Sequence, residues 1–167
     1  MKEVRTPIKR SKALVALSRE HHEGLLLCWK IREGCRNDIA VQRISDYTVH
    51  FYNHFLVPHF VQEENILFSV LPANDSLIME AISQHEALRK LINILKEESQ
   101  QDTRYLLAFA DELDKHIRFE ERELFGYIES KLSAEQLLAL TDRLNKIEDK
   151  HTAPEWTDNF WEIKQRS

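Results

Sequence analysis

Two stretches of the chain repeat one arrangement of histidine, glutamate and apolar residues. HFVQEENILFSVL (His59–Leu71) and HIRFEERELFGYI (His116–Ile128) carry His, Glu, Glu, Leu and Phe at the same places. Residues four apart on a helix lie on one face, so each histidine points the same way as the first glutamate after it. Imidazole and carboxylate groups are donors for transition-metal ions. The repeat therefore predicts two halves of a metal site, with Glu63 and Glu120 as its carboxylates.

Both His–Glu pairs share their helical face with apolar residues. Leu56 and Leu67 flank the pair at His59, and Leu113 and Leu124 flank the pair at His116. A single such pair is most simply interpreted as a surface ion pair. Burying ionisable groups is costly unless they are paired or bind a metal. Because the pair occurs twice in an apolar context, a buried site is favoured over two surface ion pairs.

Two further helical segments carry histidines on apolar faces. In LSREHHEGLLLCW we choose His22, because it shares a face with Leu25, Leu26 and Trp29; His21 remains the alternative. In ISQHEALRKLI, the single histidine aligns with leucine and isoleucine residues. The predicted site is thus shared by four helices, and its six residues are His22, His59, Glu63, His85, His116 and Glu120.

Four imidazoles and two carboxylates suit two metal ions. Each carboxylate has two oxygens and can bridge both ions, which leaves about two imidazoles for each ion. A mixed nitrogen and oxygen donor set without thiolate fits iron, manganese or zinc, with paired ions ~3.5–4 Å apart. The donor types do not separate iron from manganese.

The remaining polar residues are assigned to other roles. Glu64 and Glu121 follow the inward glutamates, and we expect them to be solvated or to orient a ligand histidine. His50 and His54 share a face that we place outside the site, and His151 is expected to be structural or exposed.

The amino-acid composition and the positions of helix-breaking and helix-capping residues predict an all-α protein. Only three glycines and four prolines occur in 167 residues, which is typical of helices joined by short connections. Five helical segments are expected, at about residues 18–34, 38–71, 76–98, 102–132 and 133–150. Pro58 should kink or break the second segment, and SAEQ at residue 133 is a capping box. We expect an up-down four-helix bundle with an extra C-terminal helix and a tail that packs back on it.

The net charge and the hydropathy of the chain limit which binding partners and which cellular location we expect. The formal charge of −5 gives no reason to expect binding to nucleic acid or to an anionic membrane. No apolar run approaches the ~20 residues that a membrane span needs, and no signal peptide is recognised, so a cytoplasmic protein is expected. Cys28 and Cys35 are expected to be reduced thiols, because two turns of helix separate them.

The complete motif resembles the hemerythrin-like (HHE cation-binding) family. An early histidine, two His-x-x-x-Glu-Glu-x-x-Leu-Phe segments and a histidine between them cover residues 14–132. The resemblance implies a four-helix bundle around a non-haem di-iron centre, with Glu63 and Glu120 as bridges and the four histidines as terminal ligands. We expect one domain over residues 1–167, with the bundle core at about 14–132 and the C-terminal helix and tail at about 133–167.

Two departures from the family pattern reduce the range of functions that we expect. Oxygen-carrying hemerythrins have His-x-x-x-His on the third helix, whereas Arg89 occupies the second position here, which argues against simple reversible oxygen carriage. The cysteine-bearing N-terminal domain of the family's iron–sulfur repair proteins has no counterpart, so a stand-alone domain is expected.

The leading hypothesis is a di-iron protein that binds or senses O₂, NO or peroxide. The alternatives are a di-iron enzyme of the peroxidase or oxidase type, an iron-handling or stress-repair protein, and a metal-free helical interaction module. Oxidase di-iron sites use Glu-x-x-His on two helices, and none of the four histidines predicted as ligands follows a glutamate at that spacing. A binding protein is therefore favoured over an enzyme, no catalytic residue is assigned, and the protein partner is left open.

Overall fold

The computed structural model describes residues 9–97, 102–146 and 152–162, and within these ranges the only regular secondary structure is helical. Five helices follow one another: α1 (Lys12–Arg36), α2 (residues 41–70), α3 (Ser76–Leu95), α4 (residues 103–131) and α5 (Ala134–Asn145). The all-α prediction is confirmed for these residues. None of the described helices combines the length and the apolarity that are needed to span a membrane.

Helices α2 and α4 are continuous but change their hydrogen-bonding pattern along their length. The segments of α2 are Val41–Phe51 (α), Tyr52–Leu56 (π), Val57–Gln62 (α), Glu63–Leu67 (π) and Phe68–Val70 (3-10); those of α4 are Thr103–Phe119 (α), Glu120–Leu124 (π) and Phe125–Lys131 (α). Two of the three π turns begin at Glu63 and Glu120, whose carbonyls accept hydrogen bonds from the N–H groups of Phe68 and Phe125. Such turns are frequent at functional sites.

Pro58 does not break α2. The residues on either side of the predicted interruption, Leu56 and Val57, keep right-handed helical dihedral angles. Proline lacks an N–H group and removes one hydrogen bond from a helix interior. Here the backbone adopts a π turn just before the proline, in which the N–H of Val57 bonds to the carbonyl of Tyr52. Of the predicted kink or break, the break does not occur, and a change of helix type is found at this position.

Helix α1 is longer than its sequence pattern suggested. Its N-cap is Ser11 rather than Ser18, so the first two turns lie N-terminal to the predicted start. The other starts were placed within a few residues, and the capping box of Ser133 and Gln136 is present at α5. The predicted ends of α3 and α5, Glu98 and Lys150, lie outside the described residues.

The core consists of two hydrophobic clusters separated by a polar layer. Cluster I contains Leu27, Ile31, Phe55, Leu56, Leu88, Ile92, Leu113 and neighbouring residues. Cluster II contains Leu14, Leu17, Leu67, Ile78, Ala81, Leu124, Phe125 and neighbouring residues. Along α1 and α3 the buried residues run from cluster II to cluster I, whereas along α2 and α4 they run from cluster I to cluster II. Each of the four helices carries a buried histidine where its buried residues pass from one cluster to the other, or within a turn of that point.

The C-terminal tail packs on cluster I, as the sequence predicted. Phe160 is buried in the cluster, and Trp156 and Trp161 pack against it. All three rings contact Tyr47, with centroid separations of 5.2–5.7 Å. The ammonium of Lys30 lies 3.8 Å from the centroid of the Trp161 ring, an attractive cation–π geometry.

Both cysteines are free thiols, as expected. Cys28 is buried in cluster I, and its Sγ donates a hydrogen bond to the carbonyl of Ala110 at 3.3 Å. Burial raises the pKa of the Cys28 thiol to about 12. Cys35 is only half-buried, and burial raises its pKa as well. Cys28 is therefore a packing residue.

Replacing Phe160 by alanine tests whether the tail is part of the folded core. Removing a buried phenylalanine side chain costs about 3–5 kcal/mol, and Phe160 is 3% exposed. We expect the free energy of unfolding, measured by urea denaturation, to fall by about that amount. Leu138→Ala is the control, because Leu138 is 65% exposed and its loss should change stability by about 0.5 kcal/mol or less. Equal stability of the two variants would show that the tail does not contribute to the core.

Thiol labelling at pH 8 tests the burial of Cys28. The thiolate is the reactive species, so a buried thiol with a pKa of about 12 should not react while the native fold persists. We expect Cys35 alone to react with a disulfide reagent in native protein, and both thiols to react after denaturation. The Cys35→Ser variant should then show no rapid labelling; a fast-reacting thiol in that variant would contradict the burial of Cys28.

Candidate metal centre

Six buried side chains from four helices meet between clusters I and II. They are His21 from α1, His59 and Glu63 from α2, His85 from α3, and His116 and Glu120 from α4. Five of these were among the six residues predicted from the sequence. Glu63, His116 and Glu120 have 0% exposure, and none of the six exceeds 6%. The structure therefore brings the two His–Glu repeats and the third-helix histidine to one place.

The α1 histidine in the cluster is His21, and the choice of His22 was wrong. His22 is exposed. So are two of the residues that defined its supposed apolar face, since Leu26 and Trp29 are 42% and 48% exposed. The buried face of α1 is instead the one that carries Leu17 and His21. His22 lies about 100° away from His21 around the helix axis, which directs it to solvent.

His21 and His59 form one half of the centre. The Nε2 atom of His59 lies 2.6 Å from Oε1 of Glu63. The Nε2 atom of His21 lies 2.9 Å from Oε2 of Glu120 and 3.7 Å from Oε1 of Glu63. One oxygen of each glutamate therefore faces this pair of imidazoles.

His85 and His116 form the other half and face the remaining carboxylate oxygens. Their Nε2 atoms lie 3.1 Å from Oε2 of Glu63 and 3.2 Å from Oε1 of Glu120, respectively. The two Nε2 atoms are 3.1 Å apart. Each half thus presents two imidazole nitrogens and two carboxylate oxygens, with donor atoms within 4.8 Å of one another.

Each imidazole is held by a second hydrogen bond on its other nitrogen. The Nδ1 atoms of His21, His59, His85 and His116 lie 2.6–2.7 Å from side-chain oxygens of Glu121, Glu20, Glu64 and Gln84, in that order. Glu64 and Glu121, which we expected either to be solvated or to orient a ligand histidine, thus hold His85 and His21 by hydrogen bonds. Glu20 and Gln84 were missed. Glu20 precedes His21 in α1 but contacts His59 of α2, and Gln84 precedes His85 in α3 but contacts His116 of α4.

These outer acceptors determine which ring nitrogen carries hydrogen. A carboxylate only accepts, so Nδ1 of His21, His59 and His85 donates. Gln84 also accepts from its histidine. Its side-chain Nε2 donates to Glu80 at 3.0 Å, so its Oε1 is the atom that accepts from Nδ1 of His116. In the neutral rings the Nε2 lone pairs therefore all point into the centre, towards carboxylate oxygens and towards each other.

The electrostatics of the cluster favour positive charge at its middle. Burial lowers the pKa of His59, but the charge of Glu63 and hydrogen bonds to Glu20 and Glu63 raise it to about 9. Burial also lowers the pKa of His85, and hydrogen bonds to Glu63 and Glu64 raise it to about 9. For Glu63, burial raises the pKa, but the charge of His59 and the close contacts with the imidazole nitrogens hold it well below its usual value.

The donor set fits metal cations. All four carboxylate oxygens of Glu63 and Glu120, and Nε2 of His21, are buried without a well-oriented hydrogen bond among the described residues. Leaving buried charged acceptors unsatisfied is costly. A cation coordinated by inward Nε2 lone pairs and carboxylate oxygens would remove this cost in both halves. The arrangement has the nitrogen and oxygen donors that suit first-row transition metals.

Aromatic rings and a small cavity border the centre. Phe125 stacks on His21 with centroids 5.3 Å apart, and Phe60 stacks on His85 at 4.0 Å. Beside His21, His59 and His116 lies a small cavity of about 10 Å³, whose other lining residues are Glu20, Gly24, Phe55, Leu56, Phe60, Leu113 and Ile117. That volume corresponds to about one water-sized molecule.

The other histidines that the structure describes lie outside the centre. His50 and His54 stack on one another with centroids 4.3 Å apart, and His50 also contacts Trp156. His151 lies outside the described residues. Arg89, which occupies the second position of the third-helix motif, is 59% exposed in its side chain and pairs with Glu86.

Comparison with known proteins agrees with this geometry. The model of the hemerythrin HHE cation-binding domain matches residues 12–128, which include the whole cluster and its four outer acceptors. Searches of curated proteins and of solved structures gave no match. The match extends over more than two thirds of the chain, and the described helices place histidines and glutamates in two groups that can hold a metal ion. The chain therefore belongs to the hemerythrin HHE cation-binding domain family.

Proposed function

We propose that the chain is a non-haem di-iron protein that binds or senses a small ligand, O₂, NO or peroxide, in the cytoplasm. The observation that supports this most directly is that the two oxygens of each carboxylate face different pairs of histidines. Glu63 and Glu120 each direct one oxygen to His21 and His59 and the other to His85 and His116. Two bridging carboxylates with two imidazoles at each end are a donor set for a pair of ions.

We also propose that α1 to α4 form an up-down four-helix bundle around this pair. The order of the buried residues supports the arrangement, because α1 and α3 run from cluster II to cluster I and α2 and α4 run the opposite way. The connections are short, at residues 37–40 and 71–75 between the first three helices. Short connections favour antiparallel neighbours.

The residues of each half have separate tasks in this proposal. The imidazoles and carboxylates hold the ions, while Glu20, Glu64, Gln84 and Glu121 keep the rings in the tautomer that presents Nε2 inward. Bound iron would supply electrons and an open position for the small ligand. The same donors accept manganese or zinc, so the iron content depends on metal supply.

The cavity beside His21 and His59 supports a small ligand rather than an organic substrate. Its volume of about 10 Å³ and its apolar lining, which includes Phe55, Leu56 and Leu113, admit a diatomic molecule or peroxide after little adjustment. A binding or sensing role is favoured over oxidase-type turnover because none of the four cluster histidines follows a glutamate at the Glu-x-x-His spacing of oxidase di-iron sites.

A matched pair of alanine variants tests the ligand assignment. His21→Ala removes an inward imidazole, whereas His22→Ala changes the neighbouring exposed residue. After growth with iron, we expect two metal ions per chain in the wild type and in His22→Ala, and fewer in His21→Ala, by mass spectrometric metal analysis. Binding stabilises the folded state by linkage, by about 2.7 kcal/mol at a hundredfold excess over Kd, so His21→Ala should also lose the metal-dependent part of its thermal stability.

Two outcomes of that experiment would contradict the proposal. Unchanged metal content in His21→Ala would remove this residue from the site. Wild-type protein that binds no metal when iron is supplied would refute the di-iron function, and the buried carboxylates would then be compensated by protonated histidines.

The cavity can be tested by steric change and rescue. A Cβ atom added at Gly24 would lie 2.7 Å from Cδ1 of Ile117, and both residues line the cavity. We expect Gly24→Ala to keep its metal, to lose about 1–3 kcal/mol of folding stability, the usual cost of overpacking, and to bind NO more weakly in the reduced state because the added methyl group occupies cavity space. Valine lacks the clashing Cδ1, so Gly24→Ala with Ile117→Val should restore affinity in an optical titration. Equal NO affinity in all three proteins would place the ligand elsewhere.

A further inference from the structure

The outer hydrogen bonds divide the centre into two unequal halves. At the His21/His59 position, both Nδ1 atoms face carboxylates, Glu121 at 2.7 Å and Glu20 at 2.6 Å. At the His85/His116 position, one Nδ1 faces the carboxylate of Glu64 and the other faces the neutral amide of Gln84, both at 2.7 Å. The inner donors of the halves are alike, so the difference lies in this outer layer.

A carboxylate partner strengthens an imidazole ligand more than an amide does. It polarises the Nδ1–H bond and raises the basicity of Nε2, and such partners typically contribute 10–100-fold in metal affinity. Gln84 accepts through its amide oxygen, and its own Nε2 is engaged by Glu80. His116 is thus the one imidazole of the four without a carboxylate at its Nδ1 among the described residues.

Exposure increases the difference between the halves. The side chains of Glu20 and Glu121 are 15% and 27% exposed, whereas that of Glu64 is 42% exposed. Charges nearer to solvent are screened more strongly. The charge of Glu121 is shared with Arg10 at 3.2 Å, and Arg10 in turn also pairs with Glu129.

We infer that the two metal positions fill in sequence, the His21/His59 position first, and that Glu20, Glu64, Gln84 and Glu121 are the positioning residues that set this order. The inference rests on the proposed function, because it presumes two metal ions held by these donors. The chemical class of ligand is a divalent first-row transition metal, and selectivity between the halves comes from the outer acceptors alone.

Cobalt(II) titration of the metal-free protein, followed by NMR of the histidine ring protons, tests the order. Each Nδ1–H is held in a hydrogen bond and is shifted when a paramagnetic ion binds its ring. At one equivalent we expect the large contact shifts of coordinated rings from His21 and His59 only, with smaller through-space shifts from the other two rings, and at two equivalents contact shifts from all four. Contact shifts of all four rings at once, or of His85 and His116 first, would overturn the inference while leaving a two-metal protein.

A matched pair of isosteric variants tests the cause. Glu20→Gln should lower the affinity for the first Co²⁺ by about 10–100-fold, whereas Glu64→Gln should leave the first step unchanged and lower the second by a similar factor. Glutamine keeps an acceptor oxygen for Nδ1, so the metal-free melting temperature serves as the control for a merely structural effect. Equal losses in both steps for both variants would overturn the role of the outer charges. No Co²⁺ binding by the wild type would refute the proposed function itself.

Discussion

Two carboxylates, Glu63 and Glu120, are fully buried, and the rest of the domain is arranged so that their charge is compensated. Their oxygens face four imidazoles, and each imidazole is held from behind by a residue of another helix. Glu20 of α1 holds a ring of α2, and the relation continues from α2 to α3, from α3 to α4 and from α4 back to α1. Every helix thus supplies both a ring and a support. Shifting one helix by a turn, about 5.4 Å, would break two of the four supports at once.

This closed arrangement explains the position of the π turns and the two hydrophobic clusters. In α2 the buried residues His59, Glu63 and Leu67 are spaced by four, and α4 repeats this spacing. Successive residues spaced by four gradually leave the buried face of an ordinary α-helix, because it has 3.6 residues per turn. A π turn that begins at the glutamate takes up the extra residue, so the leucine after it returns to the core. The polar layer is then sealed on both sides by clusters I and II, which exclude water and strengthen its electrostatics.

The sequence was sufficient for the features that depend on one helix at a time. The repeated His–Glu pairs, the helix count and the capping box follow from local spacing, and the structure bears them out. The choice of His22 failed because α1 was taken to begin at Ser18. With the two earlier turns included, the buried positions of α1 contain Leu14, Leu17, His21, Gly24 and Cys28, alternately three and four apart, and this register selects His21. The supports Glu20 and Gln84 act between helices, so they depend on the relative rotation of two helices, which spacing within either one does not define.

The four residues that accept hydrogen bonds from the histidine Nδ1 atoms differ in their exposure to solvent. This difference identifies the side on which the centre lies nearest to solvent. Glu64 is the most exposed of the three carboxylate supports. It lines a surface groove of about 200 Å³ between α2 and α3, whose floor includes Phe60 and His85. When the hydrogen bond between Glu64 and His85 breaks, water can replace it at little net cost. The corresponding bond between Gln84 and His116 is buried, and breaking it would leave unsatisfied polar groups. The His85 side is therefore where the centre lies nearest to solvent, and its support is the one that water can replace most easily.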